Sequence, residues 1–265
     1  MRTRVDIRGA GASYAARRRE ANVRERATGT FQRCVNILFP RKCFECPCCG
    51  ELAASFLPHG VRKRQNAKCP GCGALERHRL HWLFLKTRTN LYSEPLKVLH
   101  FAPEPALQRL LQSRRNLTYH SADLGSRRAA EHFDICAIPY PADTFDVVLC
   151  SHVLEHVPDD RKAMSELFRV MKPGAWGLIA APIRRNRAET FEDWSVTSEK
   201  DRERVFGQRD HVRIYGRDYY DRLRSAGFLV EEHNYAKELP THLIEKHLLP
   251  PMGIISICTK APGAS

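Results

Sequence analysis

Long apolar runs are missing from this chain of 265 residues. None approaches the roughly 18–20 residues that span a bilayer, so no membrane partner is expected. The N-terminus also lacks the apolar core of a secretory signal, although its arginine-rich start imitates an organelle transit peptide. A cytoplasmic location is the expectation. G-x-G-x-x-G is absent too, which argues against a nicotinamide-dependent dehydrogenase. Acidic residues are scarce in one place only. Residues 1–90 hold 19 Lys/Arg and 6 Asp/Glu, whereas residues 91–265 hold 24 of each. The whole net charge of +13 therefore sits on the N-terminal third.

Large apolar residues are almost missing from residues 1–30, which carry eight arginines. Residues 1–42 are expected to be a basic, disordered arm. Such an arm, with residues 43–90, suits RNA or another polyanion. The plainer alternative is a solvated face. Arg62, Lys63 and Arg64 continue the basic run.

Cysteine is abundant and uneven: seven of ten lie between Cys34 and Cys72. Without a secretory context, close pairs read as metal ligands rather than disulfides. Two C-P-x-C-G knuckles, Cys46 to Cys49 and Cys69 to Cys72, are separated by nineteen residues. Each turn presents two thiolates, and its glycine permits a positive φ. Together they form the S4 set of a structural Zn²⁺ ribbon, with no open position for water. Cys43 with Cys46 is a second legal pair, but Cys46 and Cys49 repeat the frame of the other knuckle. Helical spacing follows from Ala74, with Leu75, Leu80, Leu83 and Phe84 on one face and Arg77, His78, Arg79 and His81 as a basic surface or interdomain contact.

From Leu96 the pattern alternates strands and helices. Leu96–Ala102 reads as the first strand and Leu117–Ala122 as the second, Phe145–Cys150 as a strand buried on both faces of a parallel sheet, and Trp176–Ala181 as the next. Phe228–Glu231 and Gly253–Cys258 read as an antiparallel edge pair. A helix is expected over Asp159–Met171, stopped by Lys172-Pro173-Gly174, and another over Arg217–Ala226. In open α/β sheets, ligands sit beyond the carboxyl ends of strands. Ser151, His152, Glu155 and His156 occupy such an end. Asp123, at the end of the second strand, is placed to accept two ribose hydroxyls, or else to form an Asx turn before Gly125. Residues 183–216 form a polar insertion long enough for a lid, and D-H-V-R-I-Y within it is the first choice for substrate contacts.

The stretch D-I-x-x-I-P-Y-P-x-x-T-F-D-V-V-L-C-x-x-V-L-E-H-V-P-D, followed by E-L-F-R-V-M-K-P-G, resembles class I S-adenosylmethionine-dependent methyltransferases of the UbiE-like, type 11 group. The resemblance covers roughly Leu96 to Cys258. It implies a doubly wound, seven-stranded Rossmann-like sheet over residues 91–265, preceded by a zinc-ribbon module at 43–90. It implies S-adenosylmethionine as cofactor, with Asp134 meeting the adenine amine, Ile135 beside it, and the L-E-H segment bordering cofactor and substrate. Ser151 joins the cofactor-binding set. Where that family has a glycine-rich first turn, this chain reads H-F-A-P-E-P-A. His100 falls at the usual acid, and Ala102 and Glu104 fall at two glycine positions. Glu104 either binds the ligand's ammonium group or opens the helix that Pro105 begins. V-L-H-F-A-P-E after two knuckles and L-E-R-H-R-L resembles a bacterial subfamily of zinc-ribbon methyltransferase-like proteins that shares the glycine-free turn.

The resemblance implies methyl transfer to an oxygen or nitrogen nucleophile of an unidentified acceptor. His152, His156 and His211 are candidate general bases, because imidazole titrates near neutral pH. His156 bracing the loop, with Glu155 bonded to backbone, is the alternative. Two rival readings remain: an rRNA or tRNA methyltransferase that grips RNA through the ribbon, and a non-catalytic scaffold on the same fold.

Overall fold

The computed structural model describes residues 43–60, 63–251 and 253–263. The expected arm over 1–42 and Arg62 of the basic run lie outside the described residues. The chain divides into two compact units. One comprises the described residues up to Leu83 with Pro105–Leu107 and Leu239–Pro251. The other comprises Phe84–Glu104, Gln108–Glu238 and the described residues from 253 onward.

The first unit is built on two small antiparallel ladders. β1 (Phe44–Glu45) pairs with β2 (Leu52–Ala53), and β3 (Leu57–His59) pairs with β4 (Arg64–Lys68). Helix α1 (Glu76–Arg88) begins in this unit. So little sheet leaves loop carbonyls to be satisfied by side chains, and Arg79 does this. Its guanidinium is fully buried and donates to the carbonyl oxygens of Ala67 and Ala74 at 2.9 Å, of His247 at 2.8 Å, and of Leu248. Five donors in a rigid fork suit this task. The basic surface expected of Arg77, His78, Arg79 and His81 is therefore not formed: His78, Arg79 and His81 are all buried.

The second unit holds a six-stranded sheet. In chain order its strands are β5 (Leu96–Phe101), β6 (Leu117–Ala122), β7 (Phe145–Ser151), β8 (Met171–Ala180), β11 (Leu229–His233) and β12 (Ile255–Thr259). Their spatial order is β11-β12-β8-β7-β5-β6, with β6, β5, β7 and β8 parallel and β12 and β11 antiparallel. This is the expected doubly wound Rossmann-like class. β7 lies inside the sheet, and Val147, Val148 and Cys150 are wholly buried. Its one charged residue is satisfied: Asp146 accepts from the Lys97 backbone N–H at 2.8 Å and from Lys172 Nζ at 2.7 Å.

Six strands appear among the described residues where seven were expected. Beyond β6 the place of a further strand is taken by a single parallel bridge, Ala122 to Glu131. A parallel crossover needs about a dozen residues or more, and the chain between Asp123 and Glu131 is too short to supply one.

Helix α2 (Pro105–Gln112) opens on a proline, which needs no N–H there. Helix α3 (Asp160–Val170) is capped by Asp159, which accepts from Lys162 N at 2.9 Å. Its inner face buries Ala163, Met164, Leu167 and Val170. Arg169 donates to Ile138 O at 2.9 Å and to Tyr140 O at 2.7 Å, which fixes the I-P-Y-P turn. Lys172-Pro173-Gly174 does not separate helix from strand as expected. β8 starts at Met171, directly after α3, and these residues form an irregularity between its pairings at Met171 and Trp176.

The insertion over 183–216 contains β9 (Phe191–Glu192), helix α4 (Glu199–Phe206) and β10 (Arg213–Ile214), with β9 and β10 antiparallel. Helix α5 (Tyr219–Ser225) follows, then α6 (Tyr235–Glu238) and, in the first unit, α7 (Thr241–His247). No helix among the described residues is long and apolar enough to cross a membrane.

The insertion closes against itself at Gly216, where an added Cβ would stand 2.5 Å from the carbonyl carbon and oxygen of Glu189. Gly216→Ala is expected to cost about 1–3 kcal/mol through forced backbone movement. Gly125→Ala, at a position with open space, should stay within about 0.5 kcal/mol of the parent. Thermal unfolding of the two variants side by side measures this. Equal midpoints would refute the close approach.

Candidate active site

The two knuckles of the first unit superpose in their hydrogen bonding. Gly50 N donates to Cys46 O at 2.8 Å and Gly73 N to Cys69 O at 3.0 Å, and the two glycines have φ of 73° and 75°. The Sγ atoms of Cys46, Cys49, Cys69 and Cys72 all lie within 4.8 Å of one another. Cys46 and Cys72 are 3.6 Å apart, and Cys49 and Cys69 3.7 Å. A tetrahedral zinc with Zn–S near 2.3 Å separates its sulfurs by about 3.8 Å, so the donor set fits that ion. The thiols are electrostatically frustrated alone. Hydrogen bonds from Cys46, Cys69 and Cys72 hold Cys49 far below the usual thiol range, while Cys46 and Cys49 push Cys69 and Cys72 up. Cys43 is outside this group, and Cys48 Sγ points to His78 O at 4.0 Å.

In the second unit Ala102, Asp123 and Ser151 stand at the carboxyl ends of the adjacent strands β5, β6 and β7. Ala102 has φ of 46°, so the backbone at this glycine position keeps the left-handed shape without the glycine. His100 is buried, with Nδ1 2.9 Å from Tyr119 Oη and Nε2 2.9 Å from Glu104 Oε2. Glu104 also sits at the N-cap of α2 but makes no side-chain capping bond. Its carboxylate is thus turned to His100. Asp123 Oδ1 accepts from Gly125 N at 2.8 Å and Ser126 N at 2.7 Å, which forms the Asx turn and leaves Oδ2 for a ligand. Asp134 is exposed and forms a second such turn, accepting from Cys136 N at 2.8 Å. Ile135 packs into the core beside it. Ser151, at the end of β7, is buried with an Oγ that has no partner.

The chain then turns sharply. His152 has φ of 56°, a strained conformation for this residue type, and a single 3₁₀ turn covers Leu154–His156. This turn places Glu155 inside the unit at 1% exposure. Its Oε1 is 3.1 Å from His152 Nδ1, and its Oε2 is buried without a partner. Burial would raise the Glu155 pKa, but His152 and His156 outweigh it and hold the carboxyl below its usual range. His211 comes from the insertion, with ring centroids 4.8 Å from His156. Burial, then the neighbouring His156, lowers its pKa, and its Nε2 is buried without a partner. All three expected histidines therefore gather around Glu155. The sequence pattern alone leaves Glu155 at a strand end or bonded to backbone, although its H-x-x-E-H spacing is a signal for the hub it forms.

Arg213, within the stretch chosen first for substrate contacts, is turned into the fold. It is 1% exposed and donates to the carbonyls of Leu154 at 2.7 Å and Pro158 at 2.8 Å, to that of Val157, and to Glu192 Oε1 at 2.7 Å. Tyr215 is likewise wholly buried, donating to Asp160 Oδ2 at 2.7 Å. Both brace the turn that carries the histidines. Arg222 completes the network with bonds to Asp160 at 3.0 Å and Glu192 at 2.9 Å.

A family model described as a methyltransferase domain matches residues 103–179, from the turn after β5 into β8. The chain is 50% identical over 43 residues to the ubiquinone/menaquinone biosynthesis C-methyltransferase UbiE of Pasteurella multocida, covering 16% of each chain. It is 36% identical over 67 residues to norajmaline N-methyltransferase of Rauvolfia serpentina, covering 25% of this chain and 23% of that one. The matches span less than a quarter of the length of these curated relatives. Among solved structures, an S-adenosylmethionine dependent methyltransferase from Mesorhizobium loti is similar with a TM-score of 0.46 and 13% identity, over 68% of this chain and 97% of that one. The resemblance of the central segment to class I S-adenosylmethionine-dependent methyltransferases, read from its sequence, is borne out by the family match.

Glu192 provides a test of the brace. Burial would raise its pKa, but Arg213 and Arg222 hold it below the unfolded value near 4.5. A carboxyl depressed in the folded state contributes stability that is present above the unfolded pKa. That contribution is lost as pH falls through the folded pKa. The stability difference between parent and Glu192→Gln is expected to be largest above about pH 5 and to shrink steadily toward pH 3. Urea titrations across that range measure it, and a difference independent of pH would refute the network's electrostatic role.

Proposed function

We propose that the chain is an S-adenosylmethionine-dependent methyltransferase acting on an oxygen or nitrogen nucleophile. The observation that carries this reading is the coincidence of the methyltransferase match with the strand ends. The segment 103–179 contains Asp123, Asp134 and the unpartnered Ser151, and Ala102 immediately precedes it.

Bound S-adenosylmethionine supplies an electrophilic methyl group on a sulfonium. The residues present fit it. Asp123 Oδ2 is free to take ribose hydroxyls, and its other oxygen is used to hold the carboxylate in place. Asp134 and Ile135 offer an acid and an apolar wall for the adenine. Ala102 adopts the left-handed backbone that a glycine would, and Ser151 Oγ is a buried hydroxyl without a partner, able to bond a ligand at this strand end. Glu104 acts through His100, which holds the turn. The protein's remaining work is alignment and proton removal. His152, His156 and His211 are the candidate bases. His152 is the best placed, because a Nδ1–H donated to Glu155 leaves its Nε2 free to accept a proton.

Cys46, Cys49, Cys69 and Cys72 hold a structural Zn²⁺ in this reading. An RNA acceptor remains the alternative. It draws on a basic excess that lies largely in residues 1–42, outside the described residues, whereas Arg79 of the first unit is buried.

Two measurements test the proposal. Calorimetry on zinc-loaded protein is expected to show S-adenosylmethionine binding, weakened at least tenfold, or about 1.4 kcal/mol, in Asp123→Ala and in Asp134→Ala. Folded parent protein that binds none would overturn the cofactor reading. Chelation of the metal is expected to unfold the first unit, because its ligand bonds are part of its folding free energy. An unchanged far-ultraviolet spectrum after complete chelation would count against a structural zinc.

A further inference from the structure

The cluster around Glu155 has more ligating capacity than a general base needs. One ligand atom each from Glu155, His156 and His211 lies within 4.8 Å of the others. Two of the three side chains are more than nine-tenths buried and carry an unpartnered polar atom, Oε2 of Glu155 and Nε2 of His211. Buried polar atoms without partners are rare, and two on neighbouring side chains of one such cluster call for a ligand.

The third side chain is oriented for the same purpose. His156 Nδ1 stands 3.1 Å from Asp210 O, so it carries the proton and donates to that carbonyl. Its Nε2 lone pair then faces Glu155, 3.9 Å from Oε1. A ring whose far N–H is held by a carbonyl is the usual arrangement of a metal-ligating histidine. The frame is also rigid. Val212 N donates to Glu155 O at 3.0 Å, and Arg213 binds the carbonyls of Leu154 and Pro158. His211 is thus held beside Glu155 by its two following residues.

We infer that Glu155, His156 and His211 form a binding site for one borderline divalent cation of the Mn²⁺, Fe²⁺, Co²⁺ or Zn²⁺ kind. Two imidazoles and one carboxylate suit such ions better than Mg²⁺ or Ca²⁺, and three ligands leave coordination positions open. Ligand distances near 2.0–2.2 Å require the three side chains to draw together by about an ångström.

The role of the ion rests on the methyl-transfer reading. The open positions take a hydroxyl oxygen of the acceptor and make its proton more acidic. The O–H bond breaks and its proton passes to His152 Nε2. The oxygen forms the new bond to the methyl carbon. The sulfur–carbon bond breaks, and its electron pair stays on sulfur. The acceptor class is therefore an alcohol or phenol rather than an amine.

Co²⁺ titration of the whole chain loaded with one equivalent of Zn²⁺, which the four thiolates take first, tests the site, because the Co²⁺ spectrum distinguishes nitrogen and oxygen ligands from thiolates. One equivalent of Co²⁺ is expected to bind beyond the zinc, without a thiolate charge-transfer band. His211→Ala and Glu155→Gln are each expected to weaken it at least tenfold. His211→Asn, which keeps a polar side chain of similar reach, guards against simple misfolding, and circular dichroism confirms the fold of all three variants. No additional Co²⁺ bound by folded parent protein up to millimolar concentration, or binding unchanged in folded variants, would overturn the site. S-adenosylmethionine calorimetry on the same samples separates the two proposals. Cofactor binding without Co²⁺ binding removes only the metal site, and Co²⁺ binding without cofactor binding removes only the methyltransferase reading.

Discussion

A single buried guanidinium organises the candidate site. The turn after β7 presents the carbonyls of Leu154, Val157 and Pro158 to side chains inside the unit. Arg213 meets the carbonyls of Leu154, Val157 and Pro158 and balances its own charge on Glu192. Burying a cation is costly unless it is paired and fully hydrogen-bonded. Arg213 has both conditions met, and Arg222, Asp160 and Tyr215 extend the pairing. The consequence is geometric. The strained His152 and the 3₁₀ turn that follows can persist only because the surrounding network over-determines them.

The first turn of the sheet shows the same logic at smaller scale. A glycine would adopt φ of 46° at no steric cost, but Ala102 occupies that position. The strain is held by local polar contacts. His100 is locked between Tyr119 and Glu104, and Ala102 N donates to Ala122 O at 2.8 Å across the β5–β6 pair. A glycine-free turn thus reaches a left-handed φ at Ala102 that a glycine would take freely. The first unit uses a further buried arginine in the same way, since Arg79 ties loops from both sides of the thiol cluster to α7.

Much of the fold was legible because its signals are local. β6 has the bounds expected from its apolar pattern, and β7 differs by one residue. The knuckles follow from spacing and glycine alone. The gathering of His152 and His156 is also local, since both flank one turn. What escaped depends on contacts distant in sequence. Arg79 meets a carbonyl 168 residues away, and Arg213 meets one 59 residues away. In the sequence each is only a positive charge, Arg79 read as a basic surface or interdomain contact and Arg213, with Tyr215, as a substrate contact. Burial is what shows that their bonds are made within the fold.

By itself the sequence determined the α/β class, the existence of β5, β6, β7 and β8, and the pairing of four cysteines into two knuckles. These follow from period, propensity and short-range spacing. The tertiary structure decided the number of strands, because the loop between Asp123 and Glu131 leaves room for one bridge only. It also decided which charges are buried and which polar atoms are left without partners. Hydrogen-bond satisfaction is a property of packed neighbours, and no single stretch of sequence encodes it. His211 joins Glu155 and His156 for that reason alone: the insertion folds back and β10 carries it there.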